Sequence, residues 1–139
     1  MSIQPSAPED FRQNLLQFIW LAKNNRFKLM FYVPYRTEDA YREVVLELGR
    51  DYQIPVLDCS REFDQYRLDD LLKNPVYGGM LSEYRRMLGD DYLRQNPTYA
   101  VTSDTIHPNG VGNRIIAEKM AEILLSTYLR EPGAPPVQP

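Results

Sequence analysis

A short segment near the end of the chain contains the residues best suited to chemistry. Asp104 and the only histidine, His107, lie three residues apart in the stretch SDTIHPNGVG, which spans residues 103–112. An imidazole can act as a general base when a carboxylate on its other nitrogen fixes its tautomer and orientation. Since one turn of chain can supply both groups, this spacing is compatible with the Asp-His part of a catalytic triad, although the spacing alone is a weak signal.

The same segment also allows a structural interpretation. A lone histidine at the start of a helix often caps that helix or makes a structural hydrogen bond. Pro108 restricts the backbone after His107, and Asn109 is a suitable helix cap. Both interpretations place the pair directly before a helix. This helix is predicted over residues 111–129 by an apolar stripe of Ile116, Met120, Ile123, Leu124 and Thr127. Ala117 and Ala121 would allow a neighbouring element to approach this helix closely.

The preceding part of the chain predicts a strand, a helix and a second strand. Residues 28–33 and 54–58 are short apolar runs, which suit strands of a parallel sheet. Between them, Thr37 is a candidate N-cap for an amphipathic helix with Tyr41, Val44, Val45, Leu48 and Tyr52 on its inner face. A further helix is predicted over residues 9–24, with Phe11, Leu15, Phe18, Ile19 and Ala22 on one face. The fold class is therefore α/β, with a right-handed crossover.

The remaining segments complete a single-domain organisation. Residues 61–100 predict short helices separated at Asn74-Pro75 and Gly78-Gly79, and we interpret them as a long helical insertion or lid. Residues 1–8 are expected to form a flexible leader, and the proline-rich residues 131–139 a disordered tail. The folded domain is thus expected to span residues 9–130.

Composition makes several classes of partner and site improbable. The formal charge of −3 offers no excess of positive charge for nucleic acid or anionic lipid, and no apolar run is long enough to span a membrane. One cysteine, Cys59, cannot form an intrachain disulfide, and we expect a buried thiol. No metal site is expected, because one histidine and one cysteine lie far apart. A cytoplasmic location is expected only if the chain is complete as given, since no signal peptide is visible.

The segment from Asp104 to Gly112 resembles the last conserved block of the SGNH (GDSL-like) serine ester hydrolases. Their pattern D-x-x-H-P-N-x-x-G is matched by Asp104, His107, Pro108, Asn109 and Gly112. The order of predicted elements over residues 9–129 also follows the second half of that fold. The resemblance implies the C-terminal part of a flavodoxin-like three-layer sandwich, with about two strands of a parallel sheet in this chain. It also implies that Asp104 and His107 are catalytic.

The chain departs from the family pattern at the nucleophile. The family carries its serine in a Gly-Asp-Ser-like block after the first strand, and its oxyanion hole uses a glycine and an asparagine from two further blocks. None of these blocks is found, and the serines stand in other settings: Ser2, Ser6, Ser60, Ser82, Ser103 and Ser126. Three strands of the usual five are therefore expected to be missing, which would leave an open sheet edge.

Two functions follow as expectations. The first is the C-terminal portion of a hydrolase of carboxylic esters, of the lipase, esterase or acetylesterase kind, acting on a small ester substrate without a cofactor. A serine-bearing N-terminal fragment or partner chain would complete its triad. The alternative is a non-catalytic binding or assembly module that keeps half of the fold and self-associates through the open sheet edge.

Overall fold

Helices surround a small parallel sheet in the computed structural model of the chain, which describes residues 7–129. In chain order the elements are α1 (Pro8–Asn25), β1 (Phe31–Val33), α2 (Asp39–Asp51), β2 (Val56–Asp58), α3 (Cys59–Asp64), α4 (Leu68–Lys73), α5 (Pro75–Leu88), α6 (Asp90–Gln95), a 3₁₀ turn (Pro97–Ala100) and α7 (Gly110–Thr127). The structure is mostly helical, and its α/β character rests on two strands.

The two strands pair in parallel, as the sequence predicted. Phe31 lies opposite Val56, and Val33 lies opposite Asp58. Each strand has three residues, so both are shorter than the apolar runs that predicted them. No third strand extends this sheet within the described residues.

One hydrophobic cluster joins α1, β1 and α2. Its buried members are Ile19, Phe31, Val33, Val44, Val45 and Leu48. The amphipathic patterns of α1 and α2 are therefore confirmed in their central turns. Phe18 and Tyr52 are exceptions, because both side chains are exposed to solvent. The predicted N-cap of α2 was also wrong: Thr37 Oγ1 instead donates a hydrogen bond to the carbonyl oxygen of Pro34, and the helix starts at Asp39.

A second cluster packs the helices after β2 against the start of α7. Its buried members are Cys59, Phe63, Leu71, Tyr77, Leu81, Ala100, Val101, Val111 and Ile115. Asn74 caps α5, and Pro75 occupies its first turn, so the predicted break there is confirmed. The predicted break at Gly78-Gly79 was wrong. Both glycines lie inside α5, and a Cβ atom on Gly78 would sit 2.5 Å from the Leu72 carbonyl oxygen.

The last helix is buried mainly at its beginning. Val111, Gly112 and Ile115 are buried, whereas Ile116, Met120, Ile123 and Leu124 are only partly covered. Ala117 and Ala121 are exposed, so no described element makes the close approach that the sequence suggested. The middle and end of α7 therefore present a half-covered apolar stripe.

The start of α1 can be compared with the predicted start of the folded domain. Helix α1 begins at Pro8, with Ala7 as its N-cap, one residue before the predicted start of the domain. The rest of the predicted leader, and the predicted tail over residues 131–139, lie outside the described residues. Within the described part, every helix is too short or too polar to cross a membrane.

Candidate functional site

A tight turn brings Asp104 and His107 together before α7. Thr102 and Pro108 form an antiparallel bridge, and the Ser103 N–H donates to the His107 carbonyl oxygen at 2.9 Å. Between the two side chains, Thr105 has a left-handed φ of 73°, a conformation unfavourable for a β-branched residue. This strained turn is the local feature that closes the Asp104–His107 pair.

Three hydrogen bonds converge on the Asp104 carboxylate. Its Oδ1 accepts from the backbone N–H of His107 at 2.7 Å and of Ile106 at 3.1 Å, while Oδ2 lies 2.6 Å from His107 Nδ1. Hydrogen bonds to the charged form favour ionisation. The pKa of Asp104 is accordingly lowered to about 2, chiefly by the His107 backbone N–H and then by the His107 side chain and the Ile106 N–H. Asp104 is thus a carboxylate throughout the neutral range.

The charge on Asp104 fixes the tautomer of His107. An ionised carboxylate can only accept hydrogen bonds, so Nδ1 of the imidazole must be the donor in the 2.6 Å contact. In the neutral ring, Nε2 then carries the free lone pair. No described residue forms a hydrogen bond with Nε2. The lone pair of Nε2 in the neutral ring is therefore left without a hydrogen-bond donor among the described residues.

The turn packs against the buried first turn of α7, which stabilises it. Asn109 Oδ1 accepts from the Gly112 N–H at 3.0 Å, which confirms Asn109 as the helix cap. Its Nδ2 donates to the carbonyl oxygens of Tyr99 and Thr102. A Cβ atom on Gly112 would lie 2.1 Å from the Val101 carbonyl oxygen, so only glycine allows this approach. Since Asn109 performs the capping, the His107 side chain is not needed as a cap.

Both side chains of the pair face solvent. The side chains of His107 and Asp104 are 75% and 53% exposed. A catalytic histidine normally works in a concave site that excludes water. The Asp104–His107 pair has the hydrogen bond that orients a triad histidine, but the described residues do not enclose it.

None of the described serines forms a hydrogen bond with the imidazole ring of His107. Ser82 Oγ donates to the Gly79 carbonyl oxygen inside α5, and Ser103 Oγ bonds to the His107 carbonyl oxygen rather than to the ring. Ser60 Oγ accepts from the Arg36 N–H, and Ser126 Oγ donates to the Ile123 carbonyl oxygen. Ser2 and Ser6 lie outside the described residues. The structure therefore brings Asp104 and His107 together without any of the four described serines.

A second polar cluster, at the end of β2, was missed by sequence reasoning. Asp58 is only 6% exposed, and its Oδ2 accepts from Arg42 Nε at 2.9 Å and Arg42 Nη2 at 2.5 Å. Its other oxygen, Oδ1, is buried without a hydrogen-bond partner among the described residues. The available signal was an aspartate at the end of an apolar strand. Its partner Arg42 lies sixteen residues earlier on α2, at no motif spacing.

The remaining candidate groups have structural settings. Cys59 is fully buried, as expected, and burial raises the pKa of its thiol. Tyr77 Oη donates to Glu118 Oε2 at 2.6 Å, which joins α5 to α7. No three metal-ligating side chains converge within residues 7–129. No protein-family model, curated protein or solved structure matches this chain.

Proposed function

We propose that this chain is the C-terminal portion of an SGNH-type hydrolase of carboxylic esters, and that it supplies the Asp-His part of a Ser-His-Asp triad. The observation that carries the proposal is the 2.6 Å contact between His107 Nδ1 and Asp104 Oδ2. His107 would remove the proton from a serine supplied by another polypeptide or segment. Asp104 would hold the ring in its tautomer and stabilise the imidazolium that forms.

The chemistry of acyl transfer fits these two groups without a cofactor. The serine oxygen would attack the ester carbonyl while His107 Nε2 takes its proton, and the protonated ring would then protonate the departing alcohol. A water molecule would then attack the acyl-serine ester while His107 Nε2 takes its proton. The ring would return this proton to the serine oxygen as the carboxylic acid departs. The substrate class is a small carboxylic ester, such as an acetylated sugar or a lipid ester.

The exposure of the pair supports a site that a second surface completes. An oxyanion hole and a water-excluding wall supply much of the rate enhancement in such enzymes. With 75% of the His107 side chain open to solvent, residues 7–129 offer neither around Nε2. A partner carrying the serine would provide both the nucleophile and the enclosure.

The sheet gives a second argument for a partner. The Phe31 N–H donates to the Pro55 carbonyl oxygen, and in a parallel pair only alternate residues bond to a given neighbour, so the backbone of Tyr32 faces away from β2. Two short strands alone form a marginal sheet. Large apolar side chains also remain exposed on α1 and near the end of α7, namely Phe18, Trp20, Leu21, Leu125 and Leu129. Further strands added beside β1 would give the flavodoxin-like sandwich that the proposal requires.

The test is to size the complex that contains this chain and to label it with a fluorophosphonate. The tagged chain is purified from its own cells, its assembly mass is measured, and the labelled serine is located by mass spectrometry. We expect a labelled serine on a second polypeptide or on an additional segment of the same one. Labelling should disappear in the His107→Ala variant, because the serine then lacks its base.

Matched variants make this test specific. Ser82→Ala should leave labelling intact, because the Ser82 hydroxyl is used inside α5. Labelling that persists in His107→Ala would contradict the proposal. So would labelling of the isolated chain that Ser82→Ala abolishes, since the nucleophile would then be internal.

A non-catalytic assembly module is the second candidate. The observation that favours it is the exposed apolar surface of α1 and α7, which an assembly partner would bury. In that case the Asp104→Asn variant would retain full biological activity and full assembly. The hydrolase proposal instead requires a large loss of activity with assembly unchanged.

A further inference from the structure

A groove lies where α1, α2 and α7 end, and neither Asp104 nor His107 lines it. We name it the Phe27 groove, and its volume is about 190 Å³. Lys23 lies in the last turn of α1, while Tyr52 and Tyr128 are the C-cap residues of α2 and α7. Tyr128 Oη donates to the Leu29 carbonyl oxygen at 2.5 Å, which ties the end of α7 to the segment before β1. Three helices therefore contribute to one groove.

Most of the groove wall is apolar. Ile19 and Ala22 are buried, Leu29 and Ile54 are half-buried, and the Phe27 side chain is 65% exposed. An apolar group that covers the Phe27 ring would remove this surface from water, which is favourable. The volume of about 190 Å³ is roughly six times the ~30 Å³ that a water molecule occupies in the liquid. A methylene group is no larger than a water molecule, so an alkyl chain of about six carbons fits the groove.

Two lysine side chains bring positive charge to the groove. Lys23 Nζ lies 5.6 Å from the centroid of the Tyr52 ring, and Lys28 Nζ lies 5.5 Å from the centroid of the Tyr128 ring. Neither ammonium group forms an ion pair with a carboxylate of residues 7–129, and no aspartate or glutamate of that range lines the groove. An anionic group would therefore meet two cations there without competition from a carboxylate of the lining.

The helix ends at the groove offset only part of this positive charge. Unpaired carbonyl groups in the last turn of a helix carry partial negative charge and would repel an anion. At each of the three helix ends, a backbone N–H of a residue after the helix already donates to one of these carbonyl groups, namely those of Ala22, Leu48 and Leu124. The helix dipole is also screened at a solvent-exposed end, so the full charges of the two lysines predominate.

We infer that the Phe27 groove binds an aliphatic carboxylate with an alkyl chain of about six carbons. The alkyl chain lies along the apolar wall and covers the Phe27 ring, and the carboxylate pairs with Lys23 and Lys28. The formal charge of −3 did not indicate such a site, because it averages over the whole chain. The site goes beyond the proposed hydrolase function and does not depend on it.

Titration of the full chain with four probes, followed by amide resonances in NMR spectra, tests the inference. The probes are hexanoate, butanoate, hexanol and hexylammonium. Hexanoate should bind roughly tenfold more tightly than hexanol, because only hexanoate pairs with both lysines. Butanoate lacks two methylene groups and should also bind roughly tenfold more weakly than hexanoate. Hexylammonium should bind most weakly of the six-carbon probes, since the lysines repel it.

Variants locate the binding. Phe27→Ser removes the exposed ring and should weaken hexanoate binding roughly fivefold. The double variant Lys23→Gln and Lys28→Gln should abolish the preference for hexanoate over hexanol. All three side chains are exposed, so these variants should fold. Met87→Ser and Arg86→Gln are the matched controls, because they remove an exposed apolar side chain and a positive charge from α5, whose residues do not line the groove.

Four results would overturn the inference. The first is no change in the resonances of the groove residues at about 50 mM hexanoate. The second is hexanol or hexylammonium binding as tightly as hexanoate, which would exclude a role for the lysines. The third is equal weakening by Phe27→Ser and Met87→Ser, which would indicate general adsorption. The fourth is a set of nuclear Overhauser contacts between the Phe27 ring and residues 130–139 in the free chain, which would assign the groove to that segment. The readout is binding, so none of these results bears on ester hydrolysis.

Discussion

Two aspartates in this molecule each hold a basic side chain, and they do so in opposite environments. Asp58 is almost completely buried at the end of β2 and holds Arg42, whereas Asp104 is half exposed before α7 and holds His107. The Asp58 pair connects a strand to a helix across sixteen residues. The Asp104 pair closes a turn of four residues, supported by backbone N–H donors.

The different burial of the two pairs predicts different contributions to the stability of the fold. A buried carboxylate that loses its partner leaves an uncompensated charge in the protein interior. An exposed pair can be broken at little cost, because water replaces the lost contact. Stability should therefore depend strongly on Arg42 and hardly at all on His107.

The largest expected loss of stability comes from Arg42→Gln. Without the guanidinium, Asp58 keeps a buried charge with neither oxygen adequately paired, and the free energy of unfolding should fall by about 3 kcal/mol. Urea denaturation followed by circular dichroism measures this loss. Arg85→Gln is the control, because its pair with Asp90 is exposed. Equal stability of Arg42→Gln and the wild type would contradict the assigned role of the buried pair.

A smaller loss is expected from Gly112→Ala, which tests the support behind the Asp104 turn. The new Cβ atom would meet the Val101 carbonyl oxygen at 2.1 Å, so the backbone must shift. Overpacking of this kind costs about 2 kcal/mol. In the same denaturation assay, Gly79→Ala should be neutral or stabilising by about 0.5 kcal/mol, since nothing lies near its Cβ position in α5. A neutral Gly112→Ala would show that the turn does not depend on this contact.

Titration of Asp104 tests the hydrogen bonds of the exposed pair. Its carboxyl pKa should be about 2, against an ordinary value of 3.8, and carbon-13 NMR of the side-chain carboxyl measures it. A lowered pKa in the folded state means that this contribution to stability is complete above the ordinary value. It is lost as the pH falls towards about 2. In His107→Ala the two backbone donors remain, so the pKa should rise only part of the way, and a full return to 3.8 would contradict the hydrogen-bond assignment.

The smallest expected effect on stability is that of His107→Ala itself. The ring is 75% exposed, and Asn109 rather than His107 caps α7. The unfolding midpoint should therefore fall far less than in Arg42→Gln, because only an exposed hydrogen bond to Asp104 is lost. Asn109→Ala is the informative comparison, because it removes the cap and should cost about 1 kcal/mol. A large loss in His107→Ala would favour a structural role for the histidine.

Local sequence patterns predicted the parts of the fold that depend on neighbours in the chain. The apolar runs predicted the parallel strands, the spacing in α2 predicted its buried face, and Asn109 was expected to cap α7. Such features follow from periodicity and capping, which a few residues determine. Asp104 and His107 were recognised for the same reason, since three residues of chain bring them together.

Features that depend on distant packing could not be predicted in this way. A Gly-Gly pair usually interrupts a helix. Helix α5 nevertheless continues through Gly78 and Gly79, because Gly78 allows close packing on the end of α4. The pairing of Arg42 with Asp58 arises only when α2 folds back beside β2. Phe18 follows the helical pattern of α1 but stays exposed, because no described element covers that part of the helix.

We propose that Asp104 orients His107 for ester hydrolysis, and the Asp104→Asn variant in the complex isolated through this chain tests that role. The measurement is the rate of p-nitrophenyl acetate hydrolysis at neutral pH, with the assembly mass of the complex as the control for folding. We predict a loss of about 10³- to 10⁴-fold in rate with an unchanged assembly mass, because an amide favours the wrong tautomer of the imidazole. An unchanged rate, or an assembly with no esterase activity even in the wild type, would contradict the claim.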